Sequence, residues 1–294
     1  MKLDDRQTEH LLELATTAAR RAAAHIRAES GRPRRVLSKE GGSSHASQVV
    51  TEVDFESQRL ILDTLGASIA EFDLGLLTEE SADDSSRHAS DYFWCIDPLD
   101  GTLPFIEGVS GYSVSIALVS RTGVPQIGVI LDPVEDSLVH AIRGGGAFRD
   151  DTPISLAPES GAPLTLVMDR SFAQQENYEL VLERVRGIAV RAGLDGIKII
   201  NQGGAAMNAC WVLENAPAVY FKFPRTKLGG GSLWDYAASA CIFGEVEGAE
   251  VSNIRGGRLA LNRAGHTFMN EDGMLFASNR RLAEAVIELS REIQ

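Results

Sequence analysis

Cysteine is scarce in this chain, which has only Cys95, Cys210 and Cys241, widely spaced and surrounded by apolar residues. An odd number without a CxxC pair predicts neither a disulfide framework nor a cysteine metal site. We therefore expect three buried thiols in a reducing, cytoplasmic compartment. The six histidines form no HxH or HxxxH pair, which argues against a zinc centre.

Long apolar runs and clusters of basic residues are also lacking. No stretch approaches the ~18 consecutive apolar residues of a membrane span, and the acidic N-terminal segment lacks the features of a secretory or transit signal. Lys and Arg total 28 against 41 Asp and Glu, a formal net charge of −13. Because such a chain repels polyanions, we expect neither a nucleic-acid polymer nor a membrane as its partner.

Apolar residues repeat at three- and four-residue steps in some segments and alternate with polar residues in others. The first pattern, typical of helices packed on a core, occupies residues 11–26, 61–69 and 282–293. The second, typical of strands, occupies residues 112–118 and both sides of the turn in QIGVILDPVEDSLVHAI. The short run YFWCI before DPLDGT is also of strand type.

The chain changes character at about residue 160, because short strands then alternate with helices, the first of these helices near 174–190. Nearer the N-terminus, the Gly-, Pro- and Ser-rich segment 31–47 predicts a loop. We predict a mixed α/β (α+β) protein of layered sheets and helices. An N-terminal α+β subdomain would span residues 1–157, and a C-terminal α/β subdomain residues 158–294.

Acidic residues stand at the ends of four apolar runs, where strands and helices stop and where sites are usually built. They are Asp54 in VVTEVD, Glu79 in LLTEES, the two aspartates of IDPLDGT, and Asp235 in LWDYAA. Each one alone is more often a cap or a surface ion pair than a ligand. Their recurrence favours a shared site.

Within DPLDGT, Pro98 fixes one backbone angle and Gly101 permits close approach of the backbone. Asp97 and Asp100 are therefore expected to converge while the Leu99 carbonyl turns inward. Two carboxylates and a carbonyl suit a hard cation such as Mg²⁺, which prefers oxygen ligands and usually keeps several waters.

A helix that started after Asp100 would direct the amides of Gly101 and Thr102 toward an anion, and a phosphate group would bind there. An Asp-capped turn would explain Asp100 and Gly101 equally well. It would not explain the recurrence of the other carboxylates.

Taken in order, VVTEVD, TEES, IDPLDGT and WDYAASA resemble the inositol monophosphatase family over roughly residues 10–280. The resemblance implies a layered α/β/α/β/α sandwich and a phosphomonoesterase that uses two or three Mg²⁺ ions, with Li⁺ and Ca²⁺ as inhibitors. It also implies a homodimer and a small, soluble phosphate ester as substrate, hydrolysed by metal-activated water without a covalent intermediate.

The resemblance further implies which residues hold the metal ions. One Mg²⁺ would bind to Glu79, Asp97 and the Leu99 carbonyl, and a second to Asp97, Asp100 and Asp235. A third, weaker ion would share Glu79.

It assigns the reacting groups as well. Asp54 and Thr102, with Glu79, correspond to the catalytic residues that orient and deprotonate the attacking water. Asp100, Gly101 and Thr102 would surround the phosphate group.

The segments on the substrate side combine features of two branches of the family. Lys227, eight positions before Asp235, stands where bisphosphate nucleotidases have a basic residue and near a hydroxyl-binding glutamate of inositol monophosphatases. Asn208 in GGAAMNAC instead resembles the inositol type, and Gly204 replaces a common serine. Lys227 and Gly204 are the predicted substrate contacts, with Lys227 facing a second phosphate.

Several functions stay open at this point. The substrate is an inositol monophosphate or 3′-phosphoadenosine 5′-phosphate, with histidinol phosphate or a sugar phosphate as alternatives. A non-catalytic sensor of metal and phosphate on the same fold is a further alternative. A haloacid-dehalogenase-type phosphatase is disfavoured, because its aspartates stand two positions apart whereas Asp97 and Asp100 stand three apart.

Overall fold

A computed structural model describes residues 2–32, 36–38, 49–156 and 161–293 of the chain. The helices are α1 Asp5–Glu29, α2 Glu52–Glu71, α3 Ser86–Ala89, α4 Thr102–Glu107, α5 Tyr178–Ala192, α6 Ala205–Glu214, α7 Leu233–Gly244 and α8 Arg280–Ile293. The strands are β1 Val36–Ser38, β2 Val49–Thr51, β3 Gly75–Thr78, β4 Tyr92–Asp100, β5 Ser113–Ser120, β6 Pro125–Asp132, β7 Ser137–Ile142, β8 Gly146–Arg149, β9 Thr152–Pro153, β10 Leu164–Val167, β11 Ile197–Ile200, β12 Ala218–Lys222, β13 Glu250–Ser252 and β14 Met274–Ala277.

The first large sheet has the strand order β3-β4-β5-β6-β7-β8-β9. Its first pair is parallel and the remaining pairs are antiparallel. Helices α1 and α2 cover one face, and the buried stripe of α1 includes five alanines whose small side chains let the helix lie close to the sheet. This arrangement confirms the helical periodicity of residues 11–26.

The second sheet has the order β11-β10-β12-β14-β13, with β10 parallel to both of its neighbours. Helices α5 and α8 pack on its outer face. Helices α6 and α7 lie between the two sheets, where they share one apolar cluster with β4, β12 and β14. The layers therefore follow the predicted order α/β/α/β/α.

Two local predictions were wrong. Helix α5 begins at Tyr178 rather than near residue 174, because Arg170–Gln174 forms a 3₁₀ turn first. Within the predicted loop 31–47, Val36–Ser38 forms a strand that pairs antiparallel with β2, and most of the rest lies outside the described residues. The boundary between the proposed subdomains, 157/158, also lies outside them, so the division into subdomains stays a prediction.

All three cysteines are free and buried, as expected, and burial raises the pKa of each thiol. Within the described ranges no helix combines the length and the apolar composition that a membrane crossing requires.

Candidate active site

Strands β3 and β4 bring the first acidic residues together. They run parallel with Thr78 opposite Ile96, so Glu79, the next residue after β3, comes beside Asp97, and its amide donates to the Ile96 carbonyl at 3.1 Å. Asp97 and Asp100 are three positions apart on β4, which on a regular strand would place them on opposite faces. The register with β5 shifts between them, and this irregularity lets both carboxylates face the same site.

Asp235 reaches the same place from the second half of the chain. It occupies the first turn of α7, where its carboxylate accepts the Ser232 amide at 2.7 Å in a capping box. Asp97, Asp100 and Asp235 each offer an oxygen within 4.8 Å of the other two. Opposite ligands of an Mg²⁺ octahedron are about 4.2 Å apart, twice a bond of about 2.1 Å, so this donor set fits a hard divalent cation.

The charges of the cluster act strongly on one another. Burial raises the pKa of Asp97 well above its usual range, and the charges of Glu79 and Asp100 raise it further. Burial, and then the charge of Asp235, raises the pKa of Asp100 to about 8. Burial and Glu79 raise the pKa of Asp235 to about 6, although the Lys222 ammonium opposes this change. The buried carboxylates are therefore more stable when they bind protons or a cation than when they are all ionised and empty.

Asp54 and Thr102, the predicted pair, lie in direct contact. The Thr102 hydroxyl donates to Asp54 Oδ1 at 2.9 Å, while Asp54 Oδ2 accepts the amide and hydroxyl of Thr51 at 2.7 and 2.6 Å. Asp54 is 1 % exposed, and burial raises its pKa despite these hydrogen bonds. Thr102 also lies 3.3 Å from the Leu99 carbonyl, which places the pair at the edge of the acidic cluster.

Helix α6 holds Asp100 from the other side. The amides of Ala205 and Ala206 donate to Asp100 Oδ1 and Oδ2 at 3.0 and 2.8 Å, so the carboxylate closes the positive end of the helix. A Cβ on Gly204 would lie 2.5 Å from Asp100 Oδ2, and the Gly204 amide already donates to the Gly111 carbonyl at 2.7 Å. Because it has no side chain, Gly204 leaves room for the Asp100 carboxylate at the start of α6.

A cleft of about 350 Å³ opens over the cluster. Gly101, Thr102 and Gly204, which the sequence assigns to phosphate or substrate contacts, line it beside the carboxylates. Gly101 is the residue before α4 and has a left-handed φ of 84°. Lys227, in contrast, is exposed and is absent from the lining, so the structure does not bring it to the other predicted residues.

The cleft lining also contains Lys222 and Asp169, which none of the sequence motifs included. Lys222 Nζ contacts Asp169 Oδ2 at 2.6 Å, and Asp169 Oδ1 accepts the Tyr220 hydroxyl at 2.7 Å and the Asn208 amide at 3.3 Å. The signal was present in AVYFKF, where alternation puts Lys222 on the same face as Tyr220 within an apolar strand. A charged residue at such a position requires a partner.

The protein is a layered α/β protein. Its candidate site is a buried cluster of carboxylates that suits a cation. The sequence pattern of the inositol monophosphatase family matches residues 7–294, so the chain belongs to this family. Membership supports a phosphatase activity, and the family is generally metal-dependent.

Individual relatives match nearly the whole chain. The Nus factor SuhB of Vibrio cholerae is 28% identical over 285 residues, 96% of each chain. Inositol monophosphatase 1 of Solanum lycopersicum is 26% identical over 298 residues, 95% of this chain and 94% of the relative. The solved structure of a Thermotoga maritima IMPase superposes with a TM-score of 0.73 at 22% identity, covering 97% and 98% of the two chains.

Gly204→Ala should weaken Mg²⁺ binding by about tenfold, because the new Cβ pushes Asp100 off the two α6 amides. A hydrogen bond to a charged group contributes about 1.5–3 kcal/mol, and 1.4 kcal/mol is about one decade of affinity. Titration calorimetry measures the change. Gly66→Ala, in a helical position with open space around it, is the matched control. Unchanged affinity in Gly204→Ala would contradict this account of Asp100.

The metal-free protein should lose stability as pH rises from about 4 to about 8. The pKa values of Asp100 and Asp235 are raised to about 8 and about 6, above the unfolded value of about 3.9. The folded state therefore binds more protons than the unfolded state in this window, and its stability falls as these protons leave.

Thermal unfolding with EDTA and with Mg²⁺, at pH 5 and pH 8, measures this dependence. Mg²⁺ should stabilise the protein more at pH 8, and Asp100→Asn should flatten the metal-free profile relative to wild type. A metal-free Tm that rose equally with pH in both proteins would exclude the assignment.

Proposed function

We propose that the chain is a Mg²⁺-dependent phosphomonoesterase that hydrolyses a small phosphate ester. The principal support is the cluster of Asp97, Asp100 and Asp235, whose oxygens lie within 4.8 Å of one another at the base of the cleft. The cleft volume of about 350 Å³ lies near the lower end of ligand sites, about 300–1,000 Å³, which favours a small substrate. Family membership supports the same class of activity.

The metal ligands would be the residues that the sequence predicted. Glu79, Asp97 and the Leu99 carbonyl would hold one ion, and Asp97, Asp100 and Asp235 a second. Bound Mg²⁺ would neutralise charge on the phosphate group and make a water molecule more acidic. Arrangement of the acids at the ends of β3, β4 and the start of α7 fixes their positions before substrate arrives.

Thr102 and Asp54 would handle the proton of the attacking water. Because the Thr102 hydroxyl already donates to Asp54, its oxygen presents a lone pair that can accept a hydrogen bond from water. As the water attacks, its proton passes to Thr102 while the Thr102 proton passes to Asp54. The raised pKa of Asp54 suits it to accept that proton.

The relatives carry different names, a Nus factor in one case and an inositol monophosphatase in the other, and these names belong to those proteins. A non-catalytic sensor would need the same cation and phosphate contacts but no base. The Asp54–Thr102 contact favours turnover, because Asp54 Oδ2 alone accepts the Thr51 groups that cap α2, and Oδ1 faces the Thr102 hydroxyl instead.

Phosphate release from inositol 1-phosphate, 3′-phosphoadenosine 5′-phosphate, histidinol phosphate and sugar phosphates tests the proposal. Wild type should release phosphate from at least one ester with Mg²⁺ and none with EDTA. Asp97→Asn and Asp235→Asn should lose activity by orders of magnitude, whereas the exposed Asp195→Asn should match wild type. Binding of Mg²⁺ and phosphate without release from any ester would establish the sensor instead.

Asp54→Asn should lower kcat far more than it weakens Mg²⁺ binding, because its proposed task is to take a proton. Thr102→Ala should behave in the same way, and Thr102→Ser, which keeps the hydroxyl, should recover much of the activity. Steady-state kinetics and calorimetric Mg²⁺ titration are measured on the same samples. A parallel loss of affinity and activity in Asp54→Asn would make Asp54 a metal ligand.

A further inference from the structure

A second cavity, of about 500 Å³, lies between helix α6 and strands β6, β7 and β8 of the first sheet. It shares no lining residue with the active-site cleft, to which α6 contributes only its first residue. Positions 207, 210, 211 and 214 line the cavity, and their spacing puts them on one face of the helix. Ligand sites usually measure about 300–1,000 Å³, so this cavity has room for a small organic molecule of its own.

The charged groups of this cavity are mostly acidic. Asp132, Glu135 and Glu214 line it together with one cation, Arg149, whose guanidinium contacts Glu214 at 2.7 Å. Asp132 and Glu135 form no ion pair in the described part of the chain. Burial raises the pKa of Asp132, and the charge of Glu135 raises it further. Two carboxylates of the cavity are therefore left for a cationic ligand.

Asp132 is the most buried of these acids, with 8 % of its surface exposed. Its Oδ1 accepts the amides of Val134 and Glu135 at 2.7 and 3.4 Å. Its Oδ2 has no hydrogen-bond partner among the described residues. Because a buried carboxylate oxygen without a donor is costly, a ligand that donates to Oδ2 gains a charge-assisted hydrogen bond.

The acids of the cavity are too far apart to share one metal ion. In the described ranges, the active-site trio is the one group of acidic, histidine or cysteine side chains whose donor atoms all lie within 4.8 Å of one another. The cavity acids do not meet that condition, and a metal ion requires ligands that converge on a single point. Separated carboxylates instead match positive groups that are themselves separated by a spacer.

The rest of the lining suits an apolar spacer. Ile130 and Val139 contribute buried side chains from the sheet, and Met207 and Cys210 contribute buried side chains from α6. Trp211 also lines the cavity, and the face of an indole ring attracts organic ammonium ions. An alkyl chain would pack on these side chains while charged ends reached the carboxylates.

We propose that this cavity binds an aliphatic diamine, a methylene chain with an ammonium group at each end. One ammonium would donate to Asp132 Oδ2 and the other to the Glu135 carboxylate, and the chain between them would pack on Met207 and its apolar neighbours. An ammonium group suits this task because it carries N–H donors and no acceptor. The proposed site is separate from the acidic cluster of the active site, so it does not depend on the proposed function.

Titration calorimetry with 1,4-diaminobutane, 1,5-diaminopentane and 1,6-diaminohexane tests the proposal. The comparison ligands are the monoamine and the uncharged diol of each chain length, which keep the spacer and remove one or both charges. At least one diamine should bind, and about tenfold or more tightly than its monoamine, because the second ammonium adds a hydrogen bond to a carboxylate. The diol should bind most weakly.

The double substitution Asp132→Asn, Glu135→Gln should lower diamine affinity about tenfold or more. It should preserve the fold, because asparagine keeps an oxygen for the amides that Asp132 Oδ1 accepts. Asp136→Asn is the matched control, since it removes the same charge from an exposed side chain in the same turn that does not line the cavity. It should change the affinity by less than about twofold.

Asp97→Asn separates the cavity from the active site. Diamine binding in the cavity should persist in this variant, whereas its loss would place the diamine at the acidic cluster and overturn the proposal. Absence of binding for every diamine, equal affinities for diamine and monoamine, or equal affinities in wild type and the double variant would overturn it as well. If the double variant did not fold, Glu135→Gln at its exposed position would decide, because it must also weaken binding.

Discussion

Mutual repulsion among buried carboxylates is the constraint around which this structure is arranged. Asp97, Asp100 and Asp235 lie within 4.8 Å of one another, and burial together with neighbouring charge raises the pKa of each. Backbone amides offset part of this cost, since Leu99 N donates to Asp97, two α6 amides donate to Asp100, and Ser232 N donates to Asp235. Two of these three anchors are helix N-termini, whose dipoles favour negative charge.

The layered fold explains how helices from different parts of the chain reach one cluster. The outer helix α2 presents Asp54, strand β4 of the first sheet presents Asp97 and Asp100, and α7, between the sheets, presents Asp235. Helix α6 occupies the same middle layer and closes on Asp100. Because both halves of the chain supply parts, the site forms only when the two sheets have packed on the shared core.

Local sequence was sufficient to predict the acidic segments, because each motif lies within one strand end or helix start, whereas the order of the layers came from the family resemblance. It was insufficient for the contacts of the cleft wall. The pair Lys222–Asp169 depends on the parallel register of β10 and β12, in which Val167 stands opposite Tyr220, so that residues two positions further on also meet. Nothing in either segment alone specifies that pairing.

The prediction for Lys227 relied on its position eight residues before Asp235. A separation along the chain does not fix where the side chain lies, because it depends on the path of the backbone between the two residues. Gly229, Gly230 and Gly231 all have positive φ values, of 124°, 82° and 104°, so the segment turns on itself. Arg225 lines the cleft while Lys227 stays exposed.

This placement matters because the molecule as a whole, with a net charge of −13, repels anions. Screening limits that repulsion to about 8 Å at physiological salt, so recognition of a phosphate ester depends on charges within the cleft itself. Because Arg170 and Lys222 are paired with carboxylates, a cation held by Asp97, Asp100 and Asp235 would supply positive charge where a phosphate group would bind.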